Sequence, residues 1–309
     1  MDKQPRLPFH FLRYSTLAGV VLCCTARGAL AAEPDLFALS LEDLLNVKVT
    51  VASLIESDDF HAPSHVSVIK ADDWQRYGAR RTVDALSHLP ATQILPIAFG
   101  YDAIAIRGYA STASTRGIAT SLDGVRLNNF SFGTGQSDTP NINLGVLDRI
   151  EMIRGPASAV HGNDAFHGVL ALHAFESGQD LSQASAEAGE RGFYQTSARY
   201  SGQATMPLRL NLALAASGQS DQDRSYEYGA GNSIDKEQRY QSRTASLKFV
   251  SEPDADIAWR WGIYADEFDA GDFPTSVATH DSGQETSAYF TRLAVEKKLA
   301  GNQTLEASG

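Results

Sequence analysis

Hydrophobic and polar residues alternate with a period of two through the second half of the chain, from about residue 182 onward. The alternation is clearest at residues 208–215 (LRLNLALA), 257–264 (IAWRWGIY) and 289–296 (YFTRLAVE), and turn segments such as EPDAD and AGNQ separate the runs. This pattern predicts about six strands, with a seventh starting at Thr304. Such alternation over roughly ten residues is typical of membrane β-barrel strands, but a soluble β-protein gives the same signal. The pattern by itself leaves both architectures open.

The region before the alternating half has signals for two short helices. Asp72, with Gln75 three residues later, has the spacing of a capping box and predicts the start of the first helix. Gly78 fits the position just past the end of that helix. The second helix is expected to be capped by Thr82 and ended by Pro90.

Short strands surround these two helices in the sequence. An Asp-Gly pair at residues 123–124 lies between two apolar runs, which is the favoured signal for a two-residue hairpin turn. Strands are predicted at residues 65–70, 103–107, 118–122, 125–127, 149–154 and 169–175. We therefore expect a compact α+β domain over residues 60–175.

The N-terminus has the features of an export signal. Basic residues, an apolar run at residues 17–24 and a small-residue site at residues 29–31 (ALA) predict a signal peptide over residues 1–31. The alternative interpretation of this segment is a buried helix. A transmembrane helix is disfavoured, because the apolar run is shorter than the ~20 residues that such a helix needs. Both cysteines, Cys23 and Cys24, lie in this segment, so we expect a mature protein without disulfides.

Composition narrows the function classes. The chain has 309 residues and a formal net charge of -11, which disfavours a protein that binds nucleic acid through electrostatics. Its hydrophobic fraction of 43% is too high for a wholly disordered chain. The sequence therefore predicts an exported, acidic protein rich in strands with alternating hydrophobic and polar residues.

The most informative stretch is RIEMIRGPASAVHGNDAFHGV at residues 149–169, accompanied by IRGYA at 106–110 and SLDGVRLNN at 121–129. In this order, the three motifs resemble the plug domain of TonB-dependent outer-membrane receptors. The resemblance implies an α+β plug domain followed by antiparallel transmembrane β-barrel strands over residues 182–309. The positions that match the family pattern in the longest motif are Arg149, Ile150, Glu151, Ile153, Arg154, Gly155, Pro156, Ser158, Gly162, Ala165, Gly168 and Val169.

The same resemblance supplies candidates for contact between the plug and the barrel. In the family, plug arginines pair with acidic residues on the inner barrel wall, whereas the alternative for this chain is ordinary solvated charges. Gly-Pro after a strand ends it sharply, because proline fixes φ and has no N–H. The candidate plug-motif and barrel-contact residues are Arg107, Gly108, Asp123, Gly124, Arg149, Glu151, Arg154, Gly155, Pro156, Gly162 and Gly168.

The function implied by the resemblance is import of a scarce ligand, of the ferric siderophore, haem or cobalamin class, across the outer membrane of a Gram-negative cell. Its partners would be a TonB-type energy-transducing protein, the ligand and outer-membrane lipid, with no nucleic acid. The tail at residues 32–59 would carry the TonB box, for which the β-branched run Val47, Lys48, Val49, Thr50 and Val51 is our candidate. The alternative is that this run is the first strand of the plug. Weaker candidates for ligand contact in plug loops are Tyr101, Tyr109, Arg116 and Phe130.

The length of the alternating half is too small for a complete plugged barrel. Plugged outer-membrane transporters use about 22 strands, whereas residues 182–309 provide six or seven. We therefore expect an incomplete barrel, from a fragment or a truncated product of a longer receptor. A truncated product that does not transport, and a secreted soluble β-protein, are the alternatives. A receptor that also signals is disfavoured, because the tail is too short for a separate signalling domain.

No catalytic motif is present in the sequence: it has no nucleophile elbow, phosphate-binding loop or paired-histidine zinc motif, so we expect neither an enzyme nor a cofactor. Three histidines, His161, His167 and His173, recur at six-residue intervals. A metal site is one interpretation of this spacing, but ordinary packing or surface histidines are favoured, because strand and turn geometry need not bring the three together.

Overall fold

A computed structural model provides the coordinates. It describes residues 48–49, 57–58, 66–96, 102–109, 117–128, 142–205, 208–220, 224–227, 233–236, 239–251, 257–271, 283–299 and 303–309. The chain divides into two compact units, and all of these residues belong to the second, Leu45–Gly309. The expected signal peptide lies outside the described residues.

The first part of the described chain is an α+β arrangement. Its strands are β1 (Lys48–Val49), β2 (Ser57–Asp58), β3 (Val66–Lys70), β4 (Thr92–Pro96), β5 (Asp102–Ile106), β6 (Ile118–Leu122), β7 (Val125–Arg126), β8 (Leu147–Arg154) and β9 (Gly168–Ala174). Its helices are α1 (Ala71–Arg76), α2 (Thr82–Ser87) and α3 (Ser158–His161), with a 3₁₀ turn at Leu144–Val146.

Five of these strands form one sheet in the order β3-β8-β9-β6-β7. All neighbours are antiparallel except β6 and β9, which run parallel. Strands β8 and β9 are mostly buried, and Ile150, Met152, Leu170 and Leu172 are fully buried. Trp74 of α1 and Leu86 of α2 pack on the same apolar cluster, so burial of these faces holds the helices to the sheet. We call residues 66–176 the plug region.

Both helices begin differently from the sequence prediction. In α1, the Asp73 carboxylate accepts the backbone N–H of Lys70 at 2.9 Å, so the helix starts two residues earlier than an Asp72 cap would place it. In α2, Asp84 accepts the backbone N–H of Arg81 at 2.8 Å, and the Thr82 hydroxyl instead donates to the Ile142 carbonyl. An aspartate in the first turn does the capping in both cases, because its carboxylate reaches the otherwise unsatisfied N–H groups.

The ends of the elements agree better with the sequence. Gly78 follows α1 with φ of 69°, and its N–H donates to the Gln75 carbonyl at 3.1 Å, which confirms its predicted role. Asp123 and Gly124 join β6 to β7 with φ of 46° and 83°, as expected for this hairpin turn. The second helix ends at Ser87, before the predicted stop at Pro90.

The second part of the chain forms one large sheet of seven antiparallel strands. Its strands are β10 (Leu181–Ala188), β11 (Tyr194–Thr205), β12 (Leu208–Ser220), β15 (Arg239–Ser251), β16 (Ile257–Gly271), β17 (Gly283–Leu299) and β18 (Gln303–Ser308), with a separate hairpin of β13 (Arg224–Glu227) and β14 (Ser233–Lys236) between β12 and β15. Apart from this hairpin, neighbours in the sheet are neighbours in the sequence. The count confirms the prediction of six strands and a seventh near Thr304.

Connections between the strands differ in length at the two ends of the large sheet. Residues 206–207, 252–256 and 300–302 make the connections at one end, where the chain also enters from the plug region at Leu181. At the other end, residues 189–193 make one short connection, and residues 221–238 and 272–282 make much longer ones.

The two faces of the large sheet have opposite chemistry. One face packs against the plug region and carries mostly small or polar side chains, together with the buried aromatic residues Tyr264 and Phe268. Its buried polar side chains include Ser201, Asn211, Ser217, Ser242, Thr244, Ser246, Lys248 and Asp266. The other face is exposed and carries large apolar side chains, which include Tyr200, Ile257, Trp261, Ile263, Tyr289 and Leu293. This is the reverse of a water-soluble sheet, which hides its apolar face. Among the described residues, no helix has the length and apolar character needed to cross a membrane.

Candidate functional site

The candidate functional site is the contact between the plug region and the polar face of the large sheet. We call this face of the large sheet the wall. At the centre of the site is Lys248, in the last third of β15 and only 2% exposed. Its Nζ lies 2.7 Å from Asp123 Oδ2, donates to the Ala174 carbonyl at 2.7 Å and lies 3.5 Å from Glu176 Oε2. A single wall lysine therefore holds the β6–β7 turn and the end of β9 together.

Two wall residues complete this arrangement. The Tyr264 hydroxyl of β16 donates to Asp123 Oδ2 at 2.6 Å. The Arg260 guanidinium of β16 donates three hydrogen bonds of 3.0 to 3.2 Å to the Glu176 carboxylate. Such forked pairing is geometrically specific as well as strong. We call these five residues, Asp123, Glu176, Lys248, Arg260 and Tyr264, the ion cluster.

Opposing effects act on the two carboxylates of the ion cluster. Burial by itself would raise the pKa of Asp123, but the Lys248 charge and hydrogen bonds from Lys248 and Tyr264 hold its pKa below the ordinary value. Burial acts the same way on Glu176, and the charges of Lys248 and Arg260 again lower its pKa. Both groups are therefore carboxylates at neutral pH, and a cation lies beside each of them.

A second contact, made without charge pairs, involves the 3₁₀ turn. Asn143 donates its Nδ2 hydrogen to Ser217 Oγ at 2.8 Å, and its backbone N–H donates to Thr244 Oγ1 at 3.1 Å. Arg199 of β11 donates to the carbonyls of Gly145 and Leu147 at 3.0 and 2.6 Å. These hydrogen bonds satisfy buried backbone and amide groups, whose burial without partners would destabilise the folded protein. We call this the turn contact.

Close packing at the turn contact depends on small residues. A Cβ added at Gly145 would lie 2.7 Å from the Ala215 Cβ and 2.9 Å from the Ser197 Cβ. Glycine therefore lets the 3₁₀ turn approach the wall closely enough for its hydrogen bonds to form. A third contact lies near the β10–β11 connection, where the Arg80 guanidinium sits 4.1 Å above the Phe193 ring centroid.

The predicted plug arginines do not make the expected pairs with wall acids among the described residues. Arg149 Nε donates to Glu151 Oε1 at 2.8 Å, and Arg154 donates to the Pro90 carbonyl at 3.1 Å, so both contact the plug region. Arg107 is exposed with φ of 52°. Because β8 lies between β3 and β9 inside the plug sheet, its charged residues meet plug neighbours first. In the ion cluster the acids are on the plug and the cations on the wall, the opposite polarity.

The remaining motif residues lie at turns and close approaches within the plug region. Gly108, Gly155 and Gly162 have positive φ, and Pro156 is exposed directly after β8. At Gly168, a Cβ would lie 2.6 Å from the Ile153 carbonyl oxygen, so β8 and β9 could not pair as closely with another residue there. Asp123 is brought to the wall, and a Cβ on Gly124 would lie 3.3 Å from the Arg292 guanidinium.

Most candidates for ligand contact and coupling lie outside the described residues: Tyr101, Arg116, Phe130, Val47, Thr50 and Val51. The described ligand candidate, Tyr109, is 39% exposed and stacks on His167 with ring centroids 3.4 Å apart. The described part of the TonB-box candidate, Lys48–Val49, pairs in antiparallel register with Ser57–Asp58.

The three histidines have separate surroundings. The His161 carbonyl accepts a hydrogen bond from Arg126, His167 stacks on Tyr109, and His173 Nε2 lies 3.1 Å from Glu151 Oε1. Within the described ranges, no group of three or more His, Cys, Asp or Glu side chains is arranged to hold a metal ion.

Sequence reasoning missed the wall half of the site. Lys248, Arg260 and Tyr264 read as ordinary members of alternating strands, and Glu176 lies just past the last motif. The available signal was a lysine in the inward series 242, 244, 246 and 248, whose other members are small hydroxyl residues. A cation at such a position needs a partner on whatever the sheet covers.

Comparison with known proteins identifies the plug. The family model described as TonB-dependent Receptor Plug Domain matches residues 58–169. The vitamin B12 transporter BtuB of Photobacterium profundum is 28% identical over 175 residues, which cover 56% of this chain and 28% of that protein. A hemin receptor of Yersinia enterocolitica is 26% identical over 220 residues, covering 70% of this chain and 30% of the receptor.

Solved structures have the same fold. The ferripyoverdine receptor of Pseudomonas aeruginosa has a TM-score of 0.66 at 13% identity and is matched over 85% of this chain and 35% of the receptor. The siderophore receptor PiuA of Acinetobacter baumannii has a TM-score of 0.63 at 17% identity, over 85% and 38%. The chain thus spans less than two fifths of each of these four proteins. Residues 58–169 thus match the plug domain of TonB-dependent receptors, and the chain shares the fold of these two solved receptors over 85% of its length.

Proposed function

We propose that the chain is part of a TonB-dependent receptor of the Gram-negative outer membrane, which imports a scarce ligand. The observation that carries this proposal is the sheet with an apolar exposed face and a polar face covered by the plug region. In a barrel within lipid, the apolar face contacts hydrocarbon and the polar face lines the lumen. A plug seated on such a face is suited to controlled passage rather than catalysis, and we expect no enzymatic activity.

The asymmetry of the connections gives the orientation that we propose. Outer-membrane barrels have short periplasmic turns and longer extracellular loops. The end with the short connections, where Leu181 follows the plug region, would then be periplasmic. The β13–β14 hairpin and residues 272–282 would lie outside the cell. A signal peptide over residues 1–31 would direct the chain to export.

The ligand class is proposed from the relatives, which are named as a vitamin B12 transporter and hemin receptors. We propose a metal chelate of the ferric siderophore, haem or cobalamin class. The test measures the uptake of iron chelates, hemin and cobalamin by cells that express the full-length gene product. Saturable, energy-dependent uptake of one of these is expected. Binding without uptake would favour a truncated product that does not transport.

Cell fractionation separates the remaining alternative. The proposal requires the protein to be in the outer membrane, resistant to extraction by salt. Recovery in the soluble periplasm would indicate a secreted soluble β-protein instead. The plug domain is expected to occupy residues 60–175 and the barrel strands residues 182–309.

Energy coupling is proposed to run through Val47–Val51. Its backbone would pair with a TonB-type protein by strand addition, and extended pairing is supported by the β1–β2 ladder at Lys48 and Val49. Val49→Pro removes an N–H and fixes φ, so it should abolish uptake and leave surface binding of the ligand nearly intact. Val49→Ala is the matched control and should transport. Equal loss of binding and uptake would place the segment inside the folded plug, and normal uptake with Val49→Pro would place coupling elsewhere.

A further inference from the structure

The β6–β7 hairpin is attached at its turn to the wall. The Asp123 carboxylate receives Lys248 Nζ at 2.7 Å, the Tyr264 hydroxyl at 2.6 Å and the Ala174 N–H at 3.2 Å. Both turn residues have left-handed φ, which fixes the geometry of a two-residue turn. The turn is therefore held from two sides, by β9 of the plug region and by Lys248 and Tyr264 of the wall.

The same hairpin is attached at its other end to an exposed loop of the plug region. Residues 155–167, which we call the α3 loop, contain α3 and the turn that follows it. Arg126 Nη1 donates to the His161 carbonyl at 2.8 Å, while Nη2 contacts the Asn163 carbonyl and lies 3.2 Å from Asp164 Oδ2. One guanidinium thus holds three groups of this loop.

Arg126 itself is fixed to the hairpin. Its Nε donates to Asn128 Oδ1 at 3.1 Å. Asn128 in turn accepts the Thr120 N–H at 2.7 Å and donates to the Ile118 carbonyl at 2.9 Å. The guanidinium therefore moves with β6 and β7 as one body.

The α3 loop has few apolar contacts of its own. Its ends are joined by the Gly155 N–H to the His167 carbonyl at 3.0 Å, and Ala165 is buried. Ala159, Val160 and Asn163 are exposed, and Phe166 is 68% exposed. A segment with so little buried surface takes its position from its polar attachments.

We propose that Lys248 is a positioning residue for the α3 loop, acting through Asp123, the β6–β7 hairpin and Arg126. Arg126 lies three positions after Asp123, just across the β6–β7 turn, where it pairs with Ser121. A shift of the hairpin turn against the wall therefore displaces the loop, and a molecule that displaces the loop changes the Asp123–Lys248 contact by the same coupling. On the proposed receptor function, this would let the wall respond to a ligand at the loop. The positioning itself does not depend on that function.

The test uses the complete receptor in detergent or bilayers, with a spin label on Ala159→Cys and no ligand. Lys248→Met removes the wall cation. Because this leaves Asp123 buried beside an apolar group, the pair Asp123→Asn with Lys248→Met is the second variant, which keeps the site neutral. We expect both to increase label mobility at least twofold. Lys297→Met, at an exposed position of β17, is the matched control and should leave the spectrum unchanged.

Non-additive effects of two substitutions would distinguish coupling through Arg126 from a general loosening of the plug region. Arg126→Gln should mobilise the label by itself, and adding Lys248→Met to Arg126→Gln should then have no further effect. An equal additional increase in the Arg126→Gln background would overturn the proposal, as would an unchanged spectrum in the two Lys248 variants. Because this experiment measures neither ligand binding nor uptake, its outcome does not depend on whether the proposal of ligand import is correct.

Discussion

The ion cluster and the turn contact attach the same plug region to the same wall by different physical means. In the ion cluster, opposite charges compensate one another, and Lys248 and Asp123 are withdrawn from water. In the turn contact, an amide, hydroxyls, a guanidinium and backbone groups hydrogen-bond across a close approach made by glycine and alanine. The first depends on the balance of charge and the second on shape. The two should therefore respond differently to substitution and to pH.

The largest effect is expected from removing one member of the buried pair. Lys248→Met should lower the free energy of unfolding by about 3–5 kcal/mol, because it leaves the Asp123 carboxylate buried without its cation. Combining it with Asp123→Asn should recover most of the loss. Denaturant unfolding of the complete receptor, followed by tryptophan fluorescence, provides the measurement. A double variant no more stable than Lys248→Met would show that charge compensation does not govern this contact.

Overpacking the turn contact is expected to have the next largest effect. Gly145→Val places side-chain atoms where Ala215 and Ser197 already lie, at a cost of about 1–3 kcal/mol. Adding Ala215→Gly should relieve part of this cost, whereas Lys248→Met should add to it independently, since no residue is shared. The same unfolding measurement applies. Full tolerance of valine would mean that the turn does not approach the wall as closely as described.

A smaller effect is expected at the exposed edge of the ion cluster. The Arg260 side chain is 45% exposed and Glu176 30%, so water screens their attraction. Arg260→Gln should therefore cost about 1 kcal/mol or less. A loss as large as that of Lys248→Met would show that Arg260, rather than Lys248, is the principal cation.

The smallest effect near neutral pH is that of acidification. The pKa values of Asp123 and Glu176 are lowered in the folded protein, so their contribution is complete above the unfolded values of about 3.9 and 4.3. It is lost as the pH falls through the lower folded values. Stability attributable to these groups should be constant from pH 8 to about pH 5 and then decrease. The Asp123→Asn, Lys248→Met variant should show a smaller acid-dependent loss, and an equal loss would assign the effect to other carboxylates.

Much of the fold was determined by local sequence. Period-two alternation located the strands of the large sheet, because side chains of a strand point to opposite faces in turn. Asp123-Gly124 specified its hairpin turn, and Gly78 the end of α1, because these backbone conformations have few suitable residues. The motif at 149–169 indicated the plug domain, whose family model matches residues 58–169. Helix starts were less well determined, because several nearby side chains could cap the same N–H groups.

Only the tertiary structure decided how plug and wall meet. Asp123 and Tyr264 are 141 residues apart in the chain, and no local pattern relates them. Sequence reasoning selected the motif arginines, yet Arg149 and Arg154 contact the plug region, while Asp123 and Glu176 meet cations of the wall. Alternation shows which face of a strand a side chain occupies. The partner across that face depends on register and on the position of the plug, which many distant contacts fix together.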